Sequence, residues 1–105
     1  MPEVAYTVGA TFANPVVADE WLRWLKGGHV AEVLAGGATA GYIIELDAAD
    51  GGRSFEVRYR FPSRDAFARY ESDHAPRLRA EGLRLFPPQR GITYRRSVGN
   101  IVASI

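Results

Sequence analysis

The 105-residue sequence contains no cysteine, which excludes disulfide bonds, thiolate metal sites, iron–sulfur clusters and cysteine nucleophiles. Neither sign of charge dominates, because 13 basic and 12 acidic residues leave a formal charge of +1. So small a net charge does not favour polyphosphates or anionic membranes, and neither nucleic acid nor a membrane is an expected partner. No apolar run reaches the roughly 18 residues of a membrane span, and the N-terminal residues lack a basic signal region. We expect a cytoplasmic protein.

The composition is that of an ordinary globular domain. Apolar residues make up 47% of the chain and charged residues 24%, which excludes disordered and collagen-like classes. No internal repeat or low-complexity linker divides the sequence. The length therefore predicts a single domain over residues 1–105.

Alternation of apolar and polar residues predicts four strands. In the clearest case, residues 53–61, the odd-numbered positions from 55 onwards are apolar and the even-numbered positions polar. Residues 3–13 and a last strand from about residue 91 show a similar period, and residues 38–47 show it imperfectly. The sequence Asp50-Gly51-Gly52 predicts a hairpin turn between the second and third strands.

Helical spacing fills the two remaining intervals. Asn14-Pro15 is typical of a helix start, and the apolar spacing that follows is interrupted at Gly27-Gly28 and ends at Gly36-Gly37. Ser63 is the expected cap of a second helix. Pro76 lies inside that second pattern and removes a backbone donor, so the helix is expected to kink near His74 or restart after it.

The order β-α-β-β-α-β predicts an α+β fold, a ferredoxin-like sandwich with a four-stranded antiparallel sheet and two helices on one face. The other face is expected to be uncovered and largely polar. Its predicted members are Thr7, Gly9, Thr11, Glu45, Glu56, Arg58, Arg60 and Arg95. A monomer can leave such a face in water. The apolar tail at residues 101–105 favours instead a homodimer in which two sheets close into a dimeric α+β barrel.

Histidines are the main candidates for chemistry. His29 and Glu32 are three residues apart, so a carboxylate could orient the imidazole as a general base if the helix resumes there. The competing interpretation has His29 capping a carbonyl at the glycine break and Glu32 solvated. His74 shares an inner helical stripe with Tyr70, and three roles stay open: bonding a carbonyl freed by Pro76, donating to a ligand, or acting as an acid or base.

Other motifs are missing. The two histidines show no metal-ligand spacing, so no metal is predicted. No phosphate loop, dinucleotide fingerprint or G-x-S-x-G sequence occurs, and no cofactor is predicted. Single-stranded RNA binding is a remaining alternative because recognition modules of this topology exist, but the predicted polar face lacks an aromatic pair.

Several short motifs together resemble a small bacterial family known as domain of unknown function number 4286. They are Trp21-Leu22-Arg23-Trp24-Leu25, His29-Val30, Glu32-Val33-Leu34 before Gly36-Gly37, Tyr70-Glu71 and His74-Ala75-Pro76-Arg77-Leu78-Arg79. The resemblance covers nearly the whole chain. It implies a ferredoxin-like subunit of the dimeric α+β-barrel group, which includes antibiotic-biosynthesis-type monooxygenases, chlorite-dismutase relatives and muconolactone-isomerase-like enzymes. It implies a dimer and no particular reaction, since this fold serves many.

Three hypotheses follow. The first is a homodimer that binds a small, partly apolar molecule in a cleft between helices and sheet; the predicted lining is Trp24, His29, Tyr42, Tyr59, Tyr70 and His74, with Glu32 beside it. Its enzymatic form is a cofactor-independent monooxygenase or isomerase-like protein with His74 or His29 as the base. The second hypothesis is a structural or interaction module with a filled cleft. The third is RNA binding.

Overall fold

The computed structural model describes residues 2–47 and 52–105. Within them, four strands form one antiparallel sheet: β1 (Val4–Phe12), β2 (Ala40–Leu46), β3 (Arg53–Phe61) and β4 (Ile92–Asn100). The strand order across the sheet is β2-β3-β1-β4. The predicted four-stranded antiparallel sheet is confirmed. Of the predicted turn Asp50-Gly51-Gly52, the first two residues lie outside the described part of the chain.

Each helical connection is broken into segments. Between β1 and β2 lie α1 (Pro15–Trp24), a π-helical turn (Leu25–His29) and α2 (Val30–Ala35). Between β3 and β4 lie α3 (Arg64–Asp73), α4 (Ala75–Leu85) and a 3₁₀ turn (Pro88–Arg90). The described residues thus form four α-helical segments where the sequence predicts two helices.

The starts and breaks of the helices follow from local chemistry. The Asn14 side chain accepts a hydrogen bond from the Val16 backbone N–H at 2.9 Å, and the Ser63 hydroxyl accepts one from the Ala66 N–H at 3.0 Å. Both predicted caps are confirmed. Gly28 has a φ of 152°, which L-residues rarely adopt, and it lies inside the π-helical turn. Pro76 stands in the first turn of α4, so the second break falls at His74, as expected.

The core lies between the helices and one face of the sheet. Phe12 of β1 packs against Trp21 of α1 and Phe55 of β3, with ring centroids 5.1 and 5.8 Å away. Toward the other end of the strands, Phe61 contacts Phe67 of α3 at 5.1 Å. Both pairings use the alternating apolar positions of β1 and β3, so the period in the sequence selects the buried face.

The register of β2 corrects two predictions. Glu45 lies opposite Phe55, and Tyr42 lies opposite Arg58. Because side chains alternate along a strand, Glu45 belongs to the helix-packed side, where Arg53 bonds its carboxylate at 3.2 Å and Asp19 of α1 at 2.7 Å. The assignment of Glu45 to the polar face is wrong. Tyr42, predicted in the cleft, lies on the polar face and is 57% exposed.

The polar face carries its own hydrogen-bonded pairs. Arg95 of β4 lies across Gly9, where a β-carbon would come within 2.7 Å of the arginine side chain. From there its guanidinium donates to the hydroxyls of Thr11 and Ser54, both at 3.1 Å. Packing therefore explains the glycine at position 9, because the absence of a side chain there lets Arg95 lie flat on the sheet.

Candidate functional site

A cavity of about 310 Å³ lies between the helix-packed face of the sheet and the helices. Its apolar lining is Val8, Trp21, Trp24, Leu25, Val33, Val57, Leu78, Gly82, Leu83 and Pro88. Its polar lining is Tyr6, His29, Tyr59, Tyr70, Arg79, Tyr94 and Arg96. Leu83, Pro88 and Arg96 are solvent-exposed, so the cavity opens to the surface beside them. The volume lies near the lower end of the range for small-molecule sites, about 300–1,000 Å³.

The floor of the cavity is the centre of the sheet. Val8 of β1 lies between Val57 of β3 and Arg96 of β4 in the strand register. One step along, Tyr6 lies beside Tyr59, with ring centroids 5.8 Å apart and an interplanar angle of 22°. Val8 is only half-buried although it occupies a central strand on the helix side. Its residual exposure is explained by the cavity above it.

The π-helical turn places His29 at the cavity. In this turn the Val30 N–H bonds the carbonyl of Leu25, five residues earlier, across Gly27 and Gly28. The His29 ring stacks on the Trp24 indole, with centroids 4.0 Å apart and an angle of 21°. Trp24 in turn contacts Phe86, and its Nε1 donates to Glu81 at 3.4 Å. A widened turn thus brings an imidazole and an indole together at the cavity wall.

Burial determines the protonation of His29. Desolvation lowers its pKa below 6.5, against the opposing effects of Glu81 and, more weakly, Glu32. Its Nδ1 is buried and has no hydrogen-bond partner among the described residues. The predicted carbonyl cap by His29 is therefore not formed through Nδ1. At neutral pH the ring is uncharged, so one nitrogen can accept a proton or a hydrogen bond.

A second polar group consists of three tyrosines and an arginine. Arg79 of α4 donates from Nη2 to the Tyr6 hydroxyl at 3.2 Å and to the Glu71 carboxylate at 2.9 Å. The Tyr70 ring centroid is 6.2 Å from that of Tyr6. Burial raises the pKa of Tyr70 to about 12 and raises the pKa of Tyr59 as well. These phenols are neutral donors at pH 7, and within residues 2–47 and 52–105 the hydroxyls of Tyr59 and Tyr70 form no hydrogen bond.

Four of the seven predicted site residues line the cavity: Trp24, His29, Tyr59 and Tyr70. His74, Glu32 and Tyr42 do not. His74 lies at the junction of α3 and α4 against Gly36, where a β-carbon would come within 3.1 Å of its ring. It forms no side-chain cap to the backbone of α4. Glu32 faces solvent and pairs with Arg77 at 3.4 Å, and Tyr42 lies on the opposite side of the sheet.

Sequence reasoning missed Tyr6, Arg79, Tyr94 and Arg96 as lining residues. For Arg96 a signal was present, because it is two residues from both Tyr94 and Val98 on the apolar face of β4. For Arg79 no such signal exists. The break at His74 separates α4 from the stripe of α3, and only the packed structure tells which residues of α4 face the sheet.

Two features are not found in the described part of the chain. No cluster of three or more histidine or acidic side chains is placed to hold a metal ion. No described helix combines the length and apolar character needed to cross a bilayer.

Comparison of the sequence with family profiles identifies the family. Residues 5–97 match the family described as Domain of unknown function (DUF4286), so the chain belongs to it. The resemblance noted in the sequence is confirmed. A comparison with curated proteins finds no matching sequence.

Solved structures share the fold at low sequence identity. A dimeric ferredoxin-like protein from an uncultured marine organism superposes with a TM-score of 0.75 and 16% identity over 100% of both chains. A mutant form of SnoaB, a cofactor-independent oxygenase from Streptomyces nogalater, gives 0.70 and 14% over 100% of this chain and 98% of the other. The ActVA-Orf6 monooxygenase of Streptomyces coelicolor, in complex with nanaomycin D, gives 0.70 and 14% over 99% and 91%. These likenesses place the chain in the ferredoxin-like α+β fold.

Proposed function

We propose that the chain binds a small molecule with a flat, apolar body in the cavity between helices and sheet. The observation that carries this proposal is the volume of about 310 Å³, lined mainly by apolar and aromatic side chains and by a few convergent polar groups. A purely structural module is expected to fill such a space, since unfilled core volume costs stability. Trp24 and His29 supply a stacked aromatic wall for a planar ligand.

Titration calorimetry tests this proposal by measuring the binding of a neutral aromatic probe, naphthalene-2-carboxamide. We expect Val8→Phe to weaken binding by at least about tenfold, because the new ring occupies the cavity floor. Val16→Phe is the matched control, since Val16 lies on α1, is 61% exposed and is not among the lining residues. Equal binding to wild type and a folded Val8→Phe variant contradicts the proposal, as does a failure to bind both this probe and naphthalene-2-carboxylate.

A second candidate function is proton transfer by His29. A neutral imidazole in an apolar cavity can remove a proton from a carbon acid or phenol, and this is the step that a cofactor-independent monooxygenase or isomerase-like enzyme needs first. Two of the structural neighbours, a cofactor-independent oxygenase and a monooxygenase, are compatible with this candidate. The proton moves to an imidazole nitrogen, and the substrate becomes an enolate or phenolate.

Hydrogen–deuterium exchange of 2-indanone in heavy water, observed by NMR, tests this candidate. We expect the protein to accelerate exchange and His29→Gln to reduce the acceleration on the order of a hundredfold. His74→Gln is the control, because His74 lies outside the cavity and should leave the rate unchanged. No acceleration over buffer, or an equal rate in His29→Gln, rules out this role.

We also propose that the chain is a single domain and forms a homodimer through the polar face of the sheet, as a dimeric α+β barrel with the helices on the outer sides. The structural neighbour described as dimeric and the exposed tail support this assembly. In the tail, the Ile101 N–H bonds the Glu3 carbonyl at 2.8 Å, but Val102 and Ile105 are fully exposed. Sedimentation at micromolar concentration should give twice the 11.6 kDa of one chain, and a single species at 11.6 kDa contradicts the dimer.

A further inference from the structure

One end of the cavity has more hydrogen-bond donors than the protein uses. Arg79 donates from Nη2 to Tyr6 and Glu71, while its Nη1 forms no hydrogen bond to another described residue. Arg79 lines the cavity, so this nitrogen can donate to an acceptor that comes from outside the chain.

The charges around Arg79 favour an anion. Glu71 is the only carboxylate that the described residues place within salt-bridge distance of Arg79, and it balances one positive charge. Arg96 lies at the open rim of the same cavity, and no described carboxylate pairs with it. The two arginines and one glutamate leave this end with a net charge of about +1.

The neighbouring phenols add neutral donors. Tyr59 and Tyr70 line the cavity beside Tyr6, and each presents a hydroxyl that is not engaged by another described residue. An oxygen anion that reaches Arg79 would lie among charged and neutral donors, and hydrogen bonds to a charged group are stronger than those between neutral groups. A cation would meet two arginines at the same place.

We propose that the cavity selects aromatic monoanions, carboxylates or phenolates, whose charged oxygen binds Arg79 while the ring packs against the apolar wall. This inference rests on the proposed function and specifies its ligand class. Arg79 is the binding residue, Arg96 attracts the anion at the rim, and Tyr59 and Tyr70 donate to the same oxygen or its neighbour.

The experiment compares two naphthalene probes of nearly equal shape: naphthalene-2-carboxylate, ionised at pH 7, and the neutral naphthalene-2-carboxamide. We expect the wild-type protein to bind the carboxylate at least about tenfold more tightly. Arg79→Gln should remove that preference. Arg84→Gln, an exposed arginine on the same helix and outside the lining, should keep it. A further measurement uses 2-naphtholate at pH 10.5. It tests whether the protein also binds a phenolate more tightly than the neutral carboxamide.

Arg79→Gln also loses the bond to Tyr6, so its fold must be checked by circular dichroism. If it does not fold, Arg96→Gln gives the second measurement, with an expected reduction of the preference by about threefold. Equal affinity of the wild-type protein for both naphthalene probes overturns the inference and leaves the proposed function intact. Binding of neither probe overturns both. A preference for the carboxylate that survives in folded Arg79→Gln and in Arg96→Gln overturns the assignment of the anion to this end.

Discussion

The imidazole of His29 lies flat on the indole of Trp24, with 4.0 Å between ring centroids and an angle of 21°. The two residues are five positions apart, which in a regular α-helix would turn their side chains well away from each other. The π-helical turn at Leu25–His29 adds one residue to the turn and realigns them. The stacked pair forms one wall of the cavity, so the position of the candidate base depends on this irregular turn.

Gly28 is expected to be necessary for that turn, and Gly27 is not. Gly28→Ala places a β-carbon at a φ of 152°, so it should lower the free energy of unfolding by roughly 1–3 kcal/mol. Gly27 has no positive φ, and its β-carbon would meet nothing within 4 Å. Gly27→Ala should therefore be neutral or stabilising by up to about 1 kcal/mol. Urea denaturation of both variants measures the difference, and equal effects would contradict the assigned role of Gly28.

His29 should make stability fall on acidification. Because desolvation lowers its pKa in the folded state, the unfolded chain binds the proton first as pH falls below about 6.5. The contribution of His29 to the free energy of unfolding is therefore fully present above pH 6.5. It declines below that pH and levels off once the pH passes below the folded-state pKa of His29. Denaturation at fixed protein concentration between pH 8 and 5 measures this slope. His29→Gln should flatten this pH dependence; an unchanged slope in His29→Gln excludes His29 as the cause.

Two carboxylates should tune the pKa of His29 by different amounts. Glu81, which accepts the Trp24 Nε1 bond, raises this pKa more than Glu32 does, although desolvation outweighs both. Glu81→Gln should therefore lower the pKa further, and Glu32→Gln should lower it less. The titration of the His29 ring protons by NMR gives both values. A larger effect from Glu32→Gln would mean that Glu32 turns toward the imidazole in solution.

The strands and caps could be predicted because their signals are local. The period in β1 and β3 depends only on successive residues, and Asn14 and Ser63 satisfy backbone donors two or three positions away. Both helix breaks follow from the chemistry of glycine and proline. These features are therefore determined by residues that are close together in the sequence.

The site could be predicted only in part because it depends on packing between distant elements. The inner stripe of the second helix correctly includes Tyr70, yet it places His74 in the cleft as well. The chain restarts as α4 at Ala75, His74 packs against Gly36, and Arg79 reaches the cavity instead. The prediction that Tyr42 lines the cleft is wrong for a related reason. The imperfect alternation of β2 does not determine which face turns toward the helices, whereas the register with β3 does.

Tyr94 should stabilise the end of α4 through one hydrogen bond. Its hydroxyl donates to the carbonyl of Phe86, the C-terminal cap of that helix, at 2.8 Å, and burial raises the pKa of Tyr94 to about 12. Tyr94→Phe leaves this carbonyl without its donor and should cost roughly 1–2 kcal/mol of unfolding free energy. Tyr59→Phe is the matched control. Tyr59 is equally part of the cavity lining, but its hydroxyl bonds no other described residue, so its loss should change stability by less than about 0.5 kcal/mol. Equal losses in the two variants, measured by urea denaturation, would show that the bond to Phe86 adds no more stability than a hydroxyl without a protein partner.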